Sequence, residues 1–178
     1  VCEMSDRGWV QAIVATGALM THGFVEAAGM LHFKHRPSMK DEELFEKGYN
    51  RVYDTLELEQ NLDDTEKIVS EVLDGLPEGI TLASHKITEA LGRYLDAHTQ
   101  HRAILKSAVQ KGVPIYIPAF TDSELGLDVA VYNRRREGKG LARRPFDPFL
   151  DLEHYTDKIR AHETIGICTI GGGVPRNW

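Results

Sequence analysis

Cysteine is almost missing from this 178-residue chain: Cys2 and Cys168 are its only two, at opposite ends. Two cysteines so placed form no disulfide framework, and such sparse use fits a reducing compartment, so a cytoplasmic location is expected. Long apolar runs are missing too. None approaches the roughly 18 residues that cross a bilayer, and the first residues carry no signal-peptide pattern, so no membrane partner is expected. Positive charge is the minority sign: 21 Lys and Arg stand against 27 Asp and Glu, a formal charge of −6. An acidic chain is a poor nucleic-acid binder unless its basic residues cluster, and a plausible binder of small cations. There are no internal repeats and no low-complexity tract. Neither Gly-x-Gly-x-x-Gly nor Gly-x-Ser-x-Gly occurs, so a dinucleotide fingerprint and a hydrolase nucleophile elbow both lack support.

What remains is ordinary globular material. Hydrophobic residues make up 42% and charged residues 27%, which argues against disorder and coiled coil. The length suits one domain and buries a core without metal or disulfide staples. Val10-Gln-Ala-Ile-Val-Ala15 reads as a buried strand, followed by Thr16-Gly17-Ala18 and a helix over His22–Leu31. Phe33–Lys40 reads as loop, Asp41–Lys47 as a helical turn, and Asn50–Thr55 as a brief strand. Helical spacing recurs at Ile68, Val69, Val72, Leu73 and Leu76. It recurs again at Ile87, Leu91, Tyr94 and Leu95 behind an N-cap candidate, Ser84, and over Gln100–Gln110. Val113–Ile117 is a second strand, with Pro114 near its start. Helices are expected over Ser123–Arg136 and Asp147–His162. Thr164–Ile170 is expected as a third strand, running into Gly171-Gly172-Gly173. Strands that alternate with helices predict an α/β fold with a mainly parallel sheet flanked by helices. Ligands of such sheets bind at the carboxyl ends of strands. Three loops are therefore expected to converge there: Thr16-Gly17-Ala18, Thr121-Asp122-Ser123 and Gly171-Gly172-Gly173.

The glycine triplet is either a flexible turn or a backbone cradle for a phosphate. Asp122, Glu124 and Asp128 form a carboxylate cluster at a strand end, able to hold a ribose hydroxyl or a polyamine. The dipole of a helix N-terminus explains Asp122 and Glu124 equally well, but Asp128 lies beyond the first turn. His32 and His35 have His-x-x-His spacing, with His22 ten residues earlier. A metal would need further ligands in the same place, so no metal is expected. His98 and His101 are no stronger. Cys168 reads as a small core residue. Arg134–Arg144 reads as a solvated loop, or as a face toward a partner subunit or nucleotide phosphates.

Four segments, in order, resemble the deoxyhypusine synthase family, most of all its bacterial and archaeal deoxyhypusine-synthase-like branch. They are Asn50-Arg-Val-Tyr-Asp-Thr55, Pro118-Ala-Phe-Thr-Asp-Ser-Glu-Leu-Gly-Leu-Asp128, Phe146-Asp-Pro-Phe-Leu-Asp-Leu-Glu-His154 and Thr169-Ile-Gly-Gly-Gly-Val-Pro-Arg-Asn-Trp178. The resemblance covers about residue 8 to residue 178. It implies a Rossmann-like fold that binds NAD. It also implies oxidation of spermidine, release of 1,3-diaminopropane and transfer of the butylamine group by way of an imine on a lysine. The acceptor it implies is a lysine of translation factor 5A, or a polyamine such as putrescine in homospermidine formation. Family members are tetramers, so a homo-oligomer is expected. Carried over residue by residue, Thr16, Gly17 and Ala18 match the turn at the nicotinamide nucleotide, although Gly17 replaces a threonine. Asp122 matches a cofactor contact, and Gly171, Gly172 and Gly173 match the glycine turn beneath the cofactor. For the polyamine, Glu124 and Asp128 are the residues implied, although Leu127 occupies the aligned position of the gripping aspartate. Asn177 stands where eukaryotic members have a substrate-binding histidine. The acidic residue after the first turn has no clear match; His22 and Glu26 lie near it.

The largest departure from the family is length. Residues 1–178 are expected to be a single NAD-binding Rossmann-like domain, a fragment of a longer family domain with both ends cut. The segment with the catalytic lysine has no match here, and Lys86, Lys106 and Lys111 do not fit its motif. Two functions are therefore expected as alternatives. One is a part of a spermidine-dependent aminobutyl transferase. The other is a non-catalytic NAD- or polyamine-binding or assembly module.

Overall fold

The computed structural model describes residues 1–178. In chain order its elements are α1 (Cys2–Asp6), β1 (Ile13–Val14), α2 (Gly17–Ala27), β2 (His32–Lys34), α3 (Asp41–Glu46), β3 (Tyr49–Val52) and β4 (Thr55–Leu58). Then come α4 (Glu59–Asp74), α5 (Ser84–His98), α6 (Ile104–Lys111), β5 (Ile115–Tyr116), α7 (Glu124–Gly138), α8 (Phe149–Arg160) and a 3-10 turn at Val174–Asn177.

The two strongest apolar runs become a parallel pair. Ile13 lies opposite Ile115 and Val14 opposite Tyr116, and a further parallel bridge joins Leu82 to Phe146. Each strand of the pair feeds a helix through a capped turn. Thr16 caps α2 by accepting from the Leu19 N–H at 3.2 Å. Ser123 caps α7, accepting from the Gly126 N–H at 3.3 Å while donating to the Phe120 carbonyl at 2.6 Å. A short polar side chain at this position satisfies an N–H that the helix itself leaves unpaired. The two helix starts touch. A Cβ on Gly17 would collide with the Ser123 side chain, so only glycine lets the turns approach this closely. Around the pair, α2, α4, α5, α6 and α7 bury Met20, Phe24, Leu73, Ile87, Leu91, Leu105 and Leu125 in one cluster of 20 residues.

The rest of the sheet structure departs from the sequence reading. The parallel sheet is two strands wide, and a separate antiparallel sheet has the order β2-β4-β3. The stretch read as loop from Phe33 supplies β2, and the brief strand at Asn50 is one arm of a hairpin whose turn is Tyr53-Asp54. Tyr53 holds a left-handed φ of 59° at that turn, a place normally given to Gly or Asn. That choice hides the hairpin from sequence inspection. Helix α2 begins five residues before the predicted His22, because Thr16 caps it. A short α1 also forms, which the sequence reading did not expect.

Thr164–Ile170 is not a strand. No backbone hydrogen bond ties the segment to a neighbour, and Ile165, Ile167 and Ile170 are 53%, 81% and 74% exposed. A β-branched run has strand character only when another backbone pairs with it. Arg134–Arg144 is not a solvated loop either. Helix α7 runs through it to Gly138, and Arg136 and Arg144 are buried.

Candidate functional site

The carboxyl ends of β1 and β5 bring together two of the three expected loops. Thr16 and Ala18 are exposed at the start of α2, and Asp122 is exposed just before α7. The first turn of α2 carries no acidic residue, so its free N–H groups and dipole present an unopposed positive end, suited to a phosphate. The third loop does not join them as a packed wall. Gly171, Gly172 and Gly173 are exposed, and a Cβ on any of them would meet nothing within 4 Å. Gly171 and Gly173 do hold left-handed φ values of 86° and 84°, so the turn itself needs glycine. Asn177 is exposed in the 3-10 turn.

Next to the strand ends, α7 carries a cluster of carboxylates. Glu124 and Asp128 stand four residues apart on α7 and so share one helix face. Asp128 is only 3% exposed, and its Oδ2 has no hydrogen-bond partner. Burial, then the charges of Glu124 and Glu66, push its carboxyl up to about 7. Glu124 is also raised, first by burial and then by the charge of Glu57, with His22 pulling the other way. A buried carboxylate without a partner is costly, and a cation is what relieves it.

The hairpin and α2 supply the opposite wall. His32 and Glu57 are direct cross-strand partners on β2 and β4. His22 and Glu26 lie four apart on α2 and close over His32. The His22 and His32 rings meet edge to face with centroids 5.3 Å apart, and Glu26 Oε1 lies 3.1 Å from His32 Nδ1. His35 Nε2 is buried without a partner as well. Nothing local in the sequence marks Glu57 as a site residue. In the alternation Leu56-Glu57-Leu58-Glu59 it reads as an ordinary solvent-facing charge, yet it is buried.

A second polar group lies elsewhere. Asp151 accepts from the Ser84 and His85 N–H groups at 2.9 Å each, and lies 2.6 Å from His85 Nδ1. Burial opposes its charge, but those bonds hold its carboxyl below the usual range. Ser84 Oγ is fully buried and accepts the Ile117 N–H at 2.8 Å. Ser84 is not the N-cap the sequence suggested: α5 begins at it, and the Asp151 carboxylate takes the helix's free N–H groups. Ser84 Oγ pins the end of β5 rather than attacks, so the Ser-His-Asp set is no hydrolase triad. The nearby cavity of about 430 Å³ opens beside Pro114 and Ile115, at the amino end of β5, the wrong edge of the parallel pair for a ligand.

The family model described as deoxyhypusine synthase matches residues 1–178. The chain is 33% identical over 178 residues to "Probable deoxyhypusine synthase 1" of Methanosarcina mazei, covering all of this chain and 53% of that protein. It is 33% identical over 180 residues to "Deoxyhypusine synthase-like protein" of Coxiella burnetii, covering 99% of this chain and 50% of the relative. The chain thus spans about half the length of the curated relatives it matches. An Entamoeba histolytica crystal structure described as "a putative deoxyhypusine synthase" superposes with a TM-score of 0.59 at 16% identity, over 88% of this chain and 46% of that one. The last likeness fixes the fold class, α/β and Rossmann-like. The family model spans the whole chain, and on that ground this chain belongs to the deoxyhypusine synthase family.

Proposed function

We propose that the chain is the polyamine- and NAD-binding part of a spermidine-dependent aminobutyl transferase. The observation that carries this reading is the buried, partnerless carboxylate of Asp128 beside Glu124. Spermidine is a flexible polycation, and its ammonium groups supply the donors and the positive charge that this wall lacks. Asp128 and Glu124 hold one end of the substrate and strip its water. NAD, when bound, supplies the hydride acceptor. The open start of α2 at Thr16-Gly17-Ala18 suits its phosphates, with Asp122 at the neighbouring turn for a ribose hydroxyl. Gly171–Gly173 and Asn177 are assigned to the same ligands by family resemblance alone. The acceptor is a lysine of translation factor 5A or a second polyamine, and the working assembly is a homo-oligomer.

Calorimetric titration of spermidine into the chain at neutral pH tests the reading. The expected result is one site, weakened roughly 10- to 100-fold by Asp128→Asn, the loss of a charge-assisted contact. Equal affinity for wild type and variant would remove Asp128 from the site. Binding should also release protons near pH 7, because a bound ammonium holds Asp128 ionised; heats measured in buffers of different ionisation enthalpy read this out. Turnover is a separate matter. Lys86 and Lys106 are tied to the Thr81 and Thr99 carbonyls, and Lys67 to Asp64. The 178-residue chain alone is expected to yield no 1,3-diaminopropane from spermidine and NAD. Its detection by mass spectrometry, above a protein-free blank, would put the transfer lysine within these residues.

A further inference from the structure

The geometry points to a divalent transition-metal site formed by His22, His32 and Glu57, next to but separate from the Asp128–Glu124 wall. Their ligand atoms all lie within 4.8 Å of one another. His22 Nδ1 is 3.4 Å from one Glu57 oxygen and His32 Nε2 is 3.4 Å from the other. Three of these atoms, His22 Nδ1, His32 Nε2 and Glu57 Oε1, are buried with no hydrogen-bond partner. The Glu57 side chain is only 4% exposed and that of His32 10%.

Direct imidazole–carboxylate contact explains this poorly. A charged N–H···O bond closes to about 2.7–2.9 Å, and neither pair does so. Ligands around a tetrahedral ion with bonds of about 2.0–2.1 Å sit roughly 3.3–3.4 Å apart. The observed spacing leaves room for an ion rather than a proton. The tautomer agrees. A carboxylate oxygen accepts, so Glu26 Oε1 at 3.1 Å suits the tautomer with the proton on His32 Nδ1. That leaves the Nε2 lone pair facing Glu57 and His22. A carboxylate that holds the far nitrogen of a ligand imidazole is the usual support of a metal-bound histidine. Two imidazoles and one carboxylate suit zinc or another late first-row ion better than magnesium or calcium. They also leave a coordination position for water or an amine. The ligands come from α2, β2 and β4, so the site exists only when the hairpin has docked on the helix.

This inference does not depend on the spermidine reading, and the two fail separately. Chelator-stripped chain is titrated with zinc chloride, without polyamine. The expected outcome is one zinc per chain, with X-ray absorption showing two imidazoles in a nitrogen/oxygen first shell and cobalt(II) giving intense tetrahedral d–d bands. His32→Ala and Glu57→Gln should each weaken zinc at least about 100-fold, and Glu26→Gln about 10-fold, the range for an outer-shell partner. Asp128→Asn should leave zinc binding intact, as should His101→Gln at an exposed histidine. Circular dichroism checks each variant, and the absorption spectrum of wild type decides the matter if a variant does not fold. Absence of zinc binding at stoichiometric protein overturns the site. So does binding that survives both Glu57→Gln and His32→Ala, or a first shell without two imidazoles.

Discussion

Two regions of this chain bury charge, and they treat it in opposite ways. At the junction of α4 and α7, Arg144 is 2% exposed and every arm of its guanidinium is engaged. Nε donates to Tyr132 Oη at 3.1 Å, and the terminal nitrogens donate to the Pro77 and Leu76 carbonyls at 2.8 and 2.9 Å. Asn133 clasps the Arg144 backbone from both sides. Arg136 adds a fork to Glu78 and a bond to the Ala142 carbonyl. Between α7, α2 and the hairpin, the buried carboxylates Asp128 and Glu57 have no such partners: each keeps a bare oxygen, and His22 and His32 each keep a bare ring nitrogen beside them. A satisfied buried charge locks a chain segment in place. An unsatisfied one holds free energy in reserve for a ligand of opposite sign. The difference separates scaffold from candidate site without reference to any relative.

The comparison is open to three tests. The largest effect is expected from Arg144→Ala, which strips the Leu76 and Pro77 carbonyls after α4 of their donor and leaves the Tyr132 hydroxyl only Arg136 to accept from. A loss of about 3–5 kcal/mol is expected in urea unfolding, as for breaking other buried charged networks. A loss below 1 kcal/mol, on the order of a surface pair, would break the contrast.

Next in size is Asp128→Asn. The Asp128 carboxyl sits at about 7 in the fold against an ordinary 3.8. The fold therefore disfavours its ionised form, and wild-type stability should fall as pH rises from about 4 through about 7. Asparagine mimics the neutral acid. The variant should be more stable than wild type by roughly 2–4 kcal/mol above pH 7, at about 1.4 kcal/mol per unit. The difference should close near pH 4. Parallel unfolding curves across that range would show that Asp128 already has a partner.

The smallest effect belongs to Glu78→Gln. Glu78 pairs with both arginines but is itself 73% exposed, so water competes for it. A change of at most about 1 kcal/mol is expected. A larger cost would move the weight of the clamp from the buried carbonyls to the surface carboxylate.

The sequence alone determined the parts governed by short-range rules. Two apolar β-branched runs became the parallel pair. Polar residues at turns, Thr16 and Ser123, became helix caps. The i, i+4 spacing put Glu124 and Asp128 on one face of α7. Tertiary structure decided what depends on distant partners. Glu57 joins the pocket because β4 pairs with β2 in the register that sets it opposite His32, and His22 reaches them because α2 packs over the hairpin. Arg144 became a buried clamp because the turn after α4 offers it carbonyls. Thr164–Ile170 did not become a strand because no backbone in these residues pairs with it. Periodicity and capping are written within a few residues of one another. Pairing, burial and the pKa of a carboxylate are set by what the rest of the chain brings alongside.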